Sequence, residues 1–210
     1  TEKQSSKEHY DFSNNHHYHL DKESEVGSVI EGKDGVRLIG QEETTLRQAK
    51  VSSEDGKVMV ASKGDVLIEE GSNIEHLDTR NKQKSKGFLT KETEERRHHH
   101  DYDLAEGSKL QGKNVEILSQ TSNVSVKGSD IQAKENIHLQ GNQVRVTASL
   151  DKREVQDSYS FKKSGLDASG KGGVMRIGYQ RGKLNNNGSS YNESVNGSEL
   201  VAKNGNLSIY

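Results

Sequence analysis

The 210-residue chain contains no cysteine, no proline and no tryptophan. Without cysteine there is no disulfide framework and no thiolate zinc site. Without proline every residue keeps a backbone N–H to donate, which suits a chain made of stacked, backbone-bonded strands. Apolar residues are scarce too: 28% of the chain is hydrophobic, 5% is aromatic, and mean hydropathy is -0.99. No run of about 20 apolar residues exists, so no stretch reads as a membrane-spanning helix. There is no excess of one charge either, since 30 Lys and Arg stand against 32 Asp and Glu, interspersed, for a net charge of -2. A balanced surface argues against nucleic acid as a partner. Taken alone, this composition borders on disorder. No signal peptide opens the chain, and Thr1 begins in mid-pattern, which reads as a piece of a longer repetitive protein.

What the chain has instead is repetition. "GSVIEGKDGVRLIG" (27–40), "GSKLQGKNVEI" (107–117), "GSDIQAKENIHLQG" (128–141) and "GSELVAKNGNLSI" (197–209) share one pattern: Gly-Ser, an aliphatic residue, Gly or Ala, Lys, a short polar turn, then two aliphatic residues one apart. A weaker copy at 49–60, "AKVSSEDGKVMV", lacks the Gly-Ser but keeps Val58 and Val60. Further short V-x-V pieces lie between units: Val66/Ile68, Val124/Val126 and Val144/Val146. Leu110 and Ile131 are 21 residues apart, and Val124 and Val144 are 20 apart. Self-similarity at this period marks a solenoid, which needs only a thin apolar stripe inside and so resolves the compositional conflict.

Each apolar pair has period two and is flanked by Gly, Asn, Ser or Asp, which favours a very short strand closed by a turn. No segment carries a helical apolar stripe over three turns. Three strand faces per repeat give the arithmetic of an all-β fold, a right-handed parallel β-helix of about 20–22 residues per coil. Its expected core is Ile30, Val36, Leu38, Val58, Val60, Val66, Ile68, Leu110, Val115, Ile117, Val124, Val126, Ile131, Ile137, Leu139, Val144 and Val146. Glu116, Ser125, His138 and Arg145 occupy the positions between and should face water. Six or seven coils would make a rod of roughly 30 Å at one strand spacing per coil.

Three polar stretches break the period: 1–26, 69–106 and 151–196. Each ends in the Gly-Ser that reopens a coil, so the chain reads as one β-helical segment, 1–210, of three modules, 1–78, 79–150 and 151–210. Structureless loops of such length are uncommon. The stretches are therefore expected to leave and return as antiparallel hairpins, as the alternation of Tyr159 with Phe161 suggests.

Histidine is the most suggestive side chain: His9, His16, His17 and His19 in the first excursion, and His98, His99 and His100 in the second, beside Asp101 and Asp103. Neutral imidazoles suit zinc or copper. Neighbours on a strand point to opposite faces, however, so three consecutive histidines cannot serve one ion. A pH response is the alternative, and exposed polar strand residues are the plain reading. "GKGGV" (170–174) opens like a phosphate loop but lacks the G-K-[ST] that would hold phosphate and magnesium. The doublets Arg96/Arg97, Lys152/Arg153 and Lys162/Lys163 could touch a polyanion, although acids stand close to each. No G-x-S-x-G or H-E-x-x-H occurs. No catalytic, cofactor-binding or metal residue is assigned, no cofactor is expected, and the chain is not read as an enzyme.

"SYSFKKSGLDASGKGGVMRIGYQRGK" followed by "NGSELVAKNGNLSI" resembles the haemagglutinin repeat of two-partner-secreted exoproteins, the filamentous haemagglutinins and the CdiA-type contact-dependent growth inhibition effectors. The resemblance rests on Lys162, Lys163, Ser164, Gly165 and Leu166, on Gly172 to Gly178, and on Gly197 to Leu200. Lys84 to Phe88 ("KSKGF") is a looser copy. It implies a secreted bacterial surface protein exported by an outer-membrane two-partner transporter, forming a β-helical filament that contacts target cells. In the inhibition effectors such a region is associated with toxin delivery, and in the haemagglutinins with adhesion. A passive spacer is the third possibility. Self-association through the open ends of a cut solenoid is also expected.

Overall fold

The computed structural model describes residues 2–171 and 174–210, and the described residues form strands without a helix. A first arm, β1 (Glu2–Ser13) and β2 (His16–Val26), leads into a coil of three short strands, β3 (Val29–Gly32), β4 (Gly35–Gly40) and β5 (Thr44–Arg47). A second coil follows at once: β6 (Lys50–Ser53), β7 (Lys57–Ser62) and β8 (Val66–Glu69). The chain then leaves as β9 (Gly71–Lys86) and returns as β10 (Thr90–Glu106). Two more coils come next, β11 (Lys109–Gly112), β12 (Asn114–Ser119) and β13 (Asn123–Lys127), then β14 (Asp130–Ala133), β15 (Ile137–Gln140) and β16 (Gln143–Thr147). The third arm is β17 (Ser149–Lys171) and β18 (Val174–Asn196), and a fifth coil begins with β19 (Glu199–Ala202) and β20 (Leu207–Ile209).

Equivalent strands of successive coils pair in parallel, giving three sheets: β3-β6-β11-β14-β19, β4-β7-β12-β15-β20 and β5-β8-β13-β16. The register stacks like on like. Val36, Val58, Val115, Ile137 and Leu207 form one ladder, and Ile30, Val51, Leu110, Ile131 and Leu200 another. Val124 pairs with Val66 on one side and Val144 on the other, as the 20-residue spacing requires. The alternate side chains meet in one aliphatic core, while Glu116 and His138 sit on the outer surface. The stack is shorter than six or seven coils, because the arms take up about half of the chain.

All the expected core positions are buried except Ile30, Leu38 and Val144, which are half-buried, and Val146, which is 40% exposed. β16 is the last strand of its sheet, so no coil covers Val146 on that side. Leu46, Ala49 and Val51 are buried core residues that the repeat pattern did not flag. Thr44 stands where the other coils have valine, which hid β5.

The Gly-Ser pair marks the corner where an arm or a preceding coil hands over to a first strand. A Cβ on Gly107 would lie 1.8 Å from the Gly128 carbonyl oxygen of the next coil, and one on Gly27 only 1.7 Å from that of Gln48. The serines form a vertical ladder through the same corner. Ser108 Oγ accepts the Ala49 N–H at 3.0 Å, Ser129 Oγ accepts the Ser108 N–H at 3.0 Å, and Ser198 Oγ accepts the Ser129 N–H at 3.1 Å. Each hydroxyl in turn donates to a carbonyl, for example Ser129 to Lys127 at 2.8 Å. Backbone groups in a dry corner need such partners. The tight corner between the third and fourth coils turns at Gly128, with φ +53. The corresponding corner between the first and second turns at Gln48, at φ 51, a conformation that strains a residue with a Cβ.

The three excursions are hairpins, as expected, spanning 2–26, 71–106 and 149–196, within two residues of the expected stretches, while the second and third module starts fall inside arm strands. The second arm opens at Gly71 and the third at Ser149, so residue 79 falls inside β9 and residue 151 inside β17. The arms also share one antiparallel sheet, ordered β1-β2-β9-β10-β17-β18, which the sequence did not announce.

Candidate interaction surface

Buried polar contacts fix this lateral sheet to the coil corner. Glu25, nearly enclosed at the base of β2, accepts hydrogen bonds from Arg47 Nε at 2.6 Å and Nη2 at 3.3 Å. The Arg47 guanidinium holds the Glu25 carboxyl below the usual carboxylate range and is itself raised. Asp151 at the base of β17 accepts the Ala105 N–H at 2.8 Å and Asn196 Nδ2 at 2.7 Å, tying β10, β17 and β18 together. Gln48 Nε2 donates to Glu106 at 2.8 Å, linking the tight turn to β10.

Residues directly opposite across antiparallel strands share a face, so the register divides the arm side chains into two sets. One face carries His9, His19, Asp78 and His99 in one row, His17, Arg80 and Arg97 in the next, and Asp21, His76 and Asp101 on the other side. The imidazoles are matched to carboxylates: His9 to Asp21 at 2.8 Å, His19 to Asp11 at 2.9 Å, His17 to Asp78 at 3.2 Å and His76 to Asp101 at 2.6 Å. Burial works to raise the Asp101 carboxyl, but His76 and His99 outweigh it and hold it low. Farther out, Glu95 collects Arg80, Lys82 and Arg97, each within 2.9 Å. Its carboxyl falls to about 2, chiefly through the Lys82 hydrogen bond.

The opposite face is aromatic. Tyr10 and Tyr18 lie at 6.2 Å between ring centroids, His100 stacks on Tyr102 at 4.3 Å, and the Arg96 guanidinium sits 5.5 Å above the Tyr159 ring. His98 bonds Asp157 at 2.7 Å and His100 bonds Glu75 at 2.9 Å. Lys22 and then His100 hold Glu75 below its ordinary range. His98 and His100 thus fall on this face and His99 on the other, as strand alternation demands. His16 lies beside Asn81 at the outer end of β2, and Asp103 bonds Ser72 rather than a histidine. Among the described residues no group of three or more histidine or carboxylate side chains is placed to hold a metal ion.

The outer end of the histidine face changes character. Lys84, Lys162 and Lys183 lie in one row with Thr93, and Lys86, Lys91 and Arg181 lie in the next row on the same face with Ser164. All six cations are exposed, and none makes an ion pair among the described residues. Leu166 and Tyr179 come next on that face and Ile177 beyond them, with Tyr179 68% and Ile177 67% exposed. The tip of the second arm bears Phe88, 99% exposed, and the end of β1 bears Phe12 at 76%. Cations placed directly opposite one another destabilise a sheet unless an anion joins them, and exposed apolar tips mark contact sites.

Of the basic doublets singled out in the sequence, Arg96 and Arg97 are paired with Glu94 and Glu95, and Lys163 is paired with Glu92 at 2.8 Å. The basic patch instead gathers lysines from four strands, far apart in sequence, and only Lys162 belonged to a doublet. The glycine-rich stretch at 170–174 includes positions 172 and 173, which lie outside the described residues.

A family model described as "Hemagglutinin repeat" matches residues 89–209, more than half of the chain. No match was found among curated proteins or among solved structures.

Proposed function

The chain belongs to the haemagglutinin-repeat family, and from that premise we propose that it is a stretch of a secreted, filamentous-haemagglutinin-like bacterial surface protein whose lateral sheet makes contact with target cells. Its coils are assigned the form of a right-handed parallel β-helix, the hand that parallel crossover connections take. The observation that carries the contact reading is the outer arm end, where six exposed cations, without acidic partners among the described residues, adjoin the apolar Leu166, Tyr179 and Ile177. A cationic band behind an apolar tip suits an anionic cell surface.

Within that reading, toxin delivery in contact-dependent growth inhibition is the preferred role, with no catalytic step assigned to the segment. The partners are the outer-membrane two-partner secretion transporter that exports it and the surface of the target cell. Adhesion is the second reading, favoured by the aromatic face, since the exposed rings of Tyr10 and Phe12 suit stacking against a sugar.

The test replaces residues 151–196 in the full-length protein with a short glycine turn. Surface display should persist while delivery or adhesion is lost. Killing of neighbouring cells and binding to host glycans, assayed separately, tell the two roles apart. An unchanged phenotype in both assays would leave only a spacer.

A further inference from the structure

Coils and arm strands advance in step. β2 feeds the first coil, β9 leaves the second, β10 feeds the third, β17 leaves the fourth and β18 feeds the fifth. The sheet order β1-β2-β9-β10-β17-β18 follows that progression. Each coil therefore supplies one arm strand. Neighbouring strands lie about 4.8 Å apart both along the coil stack and across the arm sheet. The two lattices stay matched when one strand is added per coil, which means one hairpin for every two coils. The tight corners at Gln48 and Gly128 occupy the alternate levels.

The two edges of the arm sheet are unlike. β1 carries Glu2, Lys3, Lys7, Glu8 and Asp11, and its register slips between Asp11 and Ser13. Charge and irregularity of that kind block the addition of another strand. β18 is 23 residues long and pairs with β17 without a slip from Asn196 to Val174. From Leu184 to Asn192 it carries no charged residue. Long, regular, uncharged edges are templates for pairing.

We propose that the outer edge of β18 is the docking edge for the outgoing strand of one further arm of this same repeat, leaving a sixth coil. It adds antiparallel, as β9 adds to β2 and β17 to β10. The arm sheet is thereby a fourth wall that grows with the solenoid. The inference stands on the register and spacing alone and does not depend on contact with target cells.

Two extended chains test it. In the first, a copy of residues 107–196, two coils and an arm, is inserted after Asn196. In the second, a copy of residues 128–196, one coil and an arm, is inserted at the same place. Amide hydrogen exchange is followed in the original β18 of each extended chain and of the present protein. In the present protein alternate amides between Leu184 and Asn192 should exchange freely. In the two-coil chain they should slow by about 100-fold or more, as newly paired backbone does. In the one-coil chain they should stay fast, because the added strand would meet the level that β18 already fills. Free exchange in both extended chains, or equal slowing in both, overturns the proposal. Amides of Ile117 and Leu139 report whether the coils are folded, and their loss in the two-coil chain counts against it as well, since a matched arm adds to an intact stack.

Discussion

Replacing Ser129 with alanine tests the serine ladder at a fully buried rung. Ser129 is fully buried, and its hydroxyl accepts the Ser108 N–H at 3.0 Å and donates to the Lys127 carbonyl at 2.8 Å. Alanine removes both contacts and leaves the Ser108 N–H without an acceptor in a corner where Ser108 too is fully buried. An orphaned buried donor costs about 1–3 kcal/mol, and the lost bond to Lys127 adds to it, so the expected loss is about 2–3 kcal/mol. That is a large fraction of the roughly 5–15 kcal/mol that holds a domain together. Ser28 occupies the same place in the first coil but is exposed, and its alanine variant should stay within about 0.5 kcal/mol of the parent. Equilibrium urea unfolding followed by far-ultraviolet circular dichroism gives both values, with the slope checked for constancy. A Ser129→Ala loss no greater than that of Ser28→Ala would refute the claim that the repeated serine is kept for the buried corner.

Val124→Asp puts a charge with no partner into the middle of a ladder and should cost more than about 4 kcal/mol, whereas Val146→Asp, at a 40% exposed position, should cost far less; comparable losses in thermal melts would contradict the assigned core. Gly107→Ala forces a Cβ to within 1.8 Å of a backbone oxygen, while nothing lies within 4 Å of the same atom on Gly197. The first substitution should lower the melting temperature and the second should leave it nearly unchanged. Acid should loosen the arms through Glu95, whose carboxyl lies at about 2 when folded against 4.5 ordinarily. A depressed carboxylate stabilises the fold above the unfolded value and loses that contribution as pH falls through the folded one. Limited proteolysis of the arms should therefore speed up between about pH 4.5 and pH 2, and Glu95→Gln should flatten that dependence; an unaltered profile in the variant would exclude Glu95 as its source.

The coil period and most of the core could be read from spacing, because a parallel stack places equivalent residues of successive repeats side by side, and selection for aliphatic contact leaves the period in the chain. Leu46 escaped because Thr44 broke the valine pattern of β5, and Val51 because its unit begins with Gln48-Ala49 instead of Gly-Ser. The hairpins were legible as interruptions, since each is local and ends at the motif that restarts a coil. Their union was not, because His19 on the first arm becomes a neighbour of Asp78 and His99 on the second only when the two arms pair edge to edge. The same holds for the basic patch, where Lys84, Lys162 and Lys183 share a row only through three separate pairings.

The sequence by itself determined the repeat, the scarcity of core and the positions where the chain leaves the stack, all of which follow from patterns a few residues wide. Tertiary structure alone decided which arm strands meet, which face each side chain joins and where six cations accumulate, because register between distant strands is set by the common rise of coil and sheet and leaves no local mark on the chain.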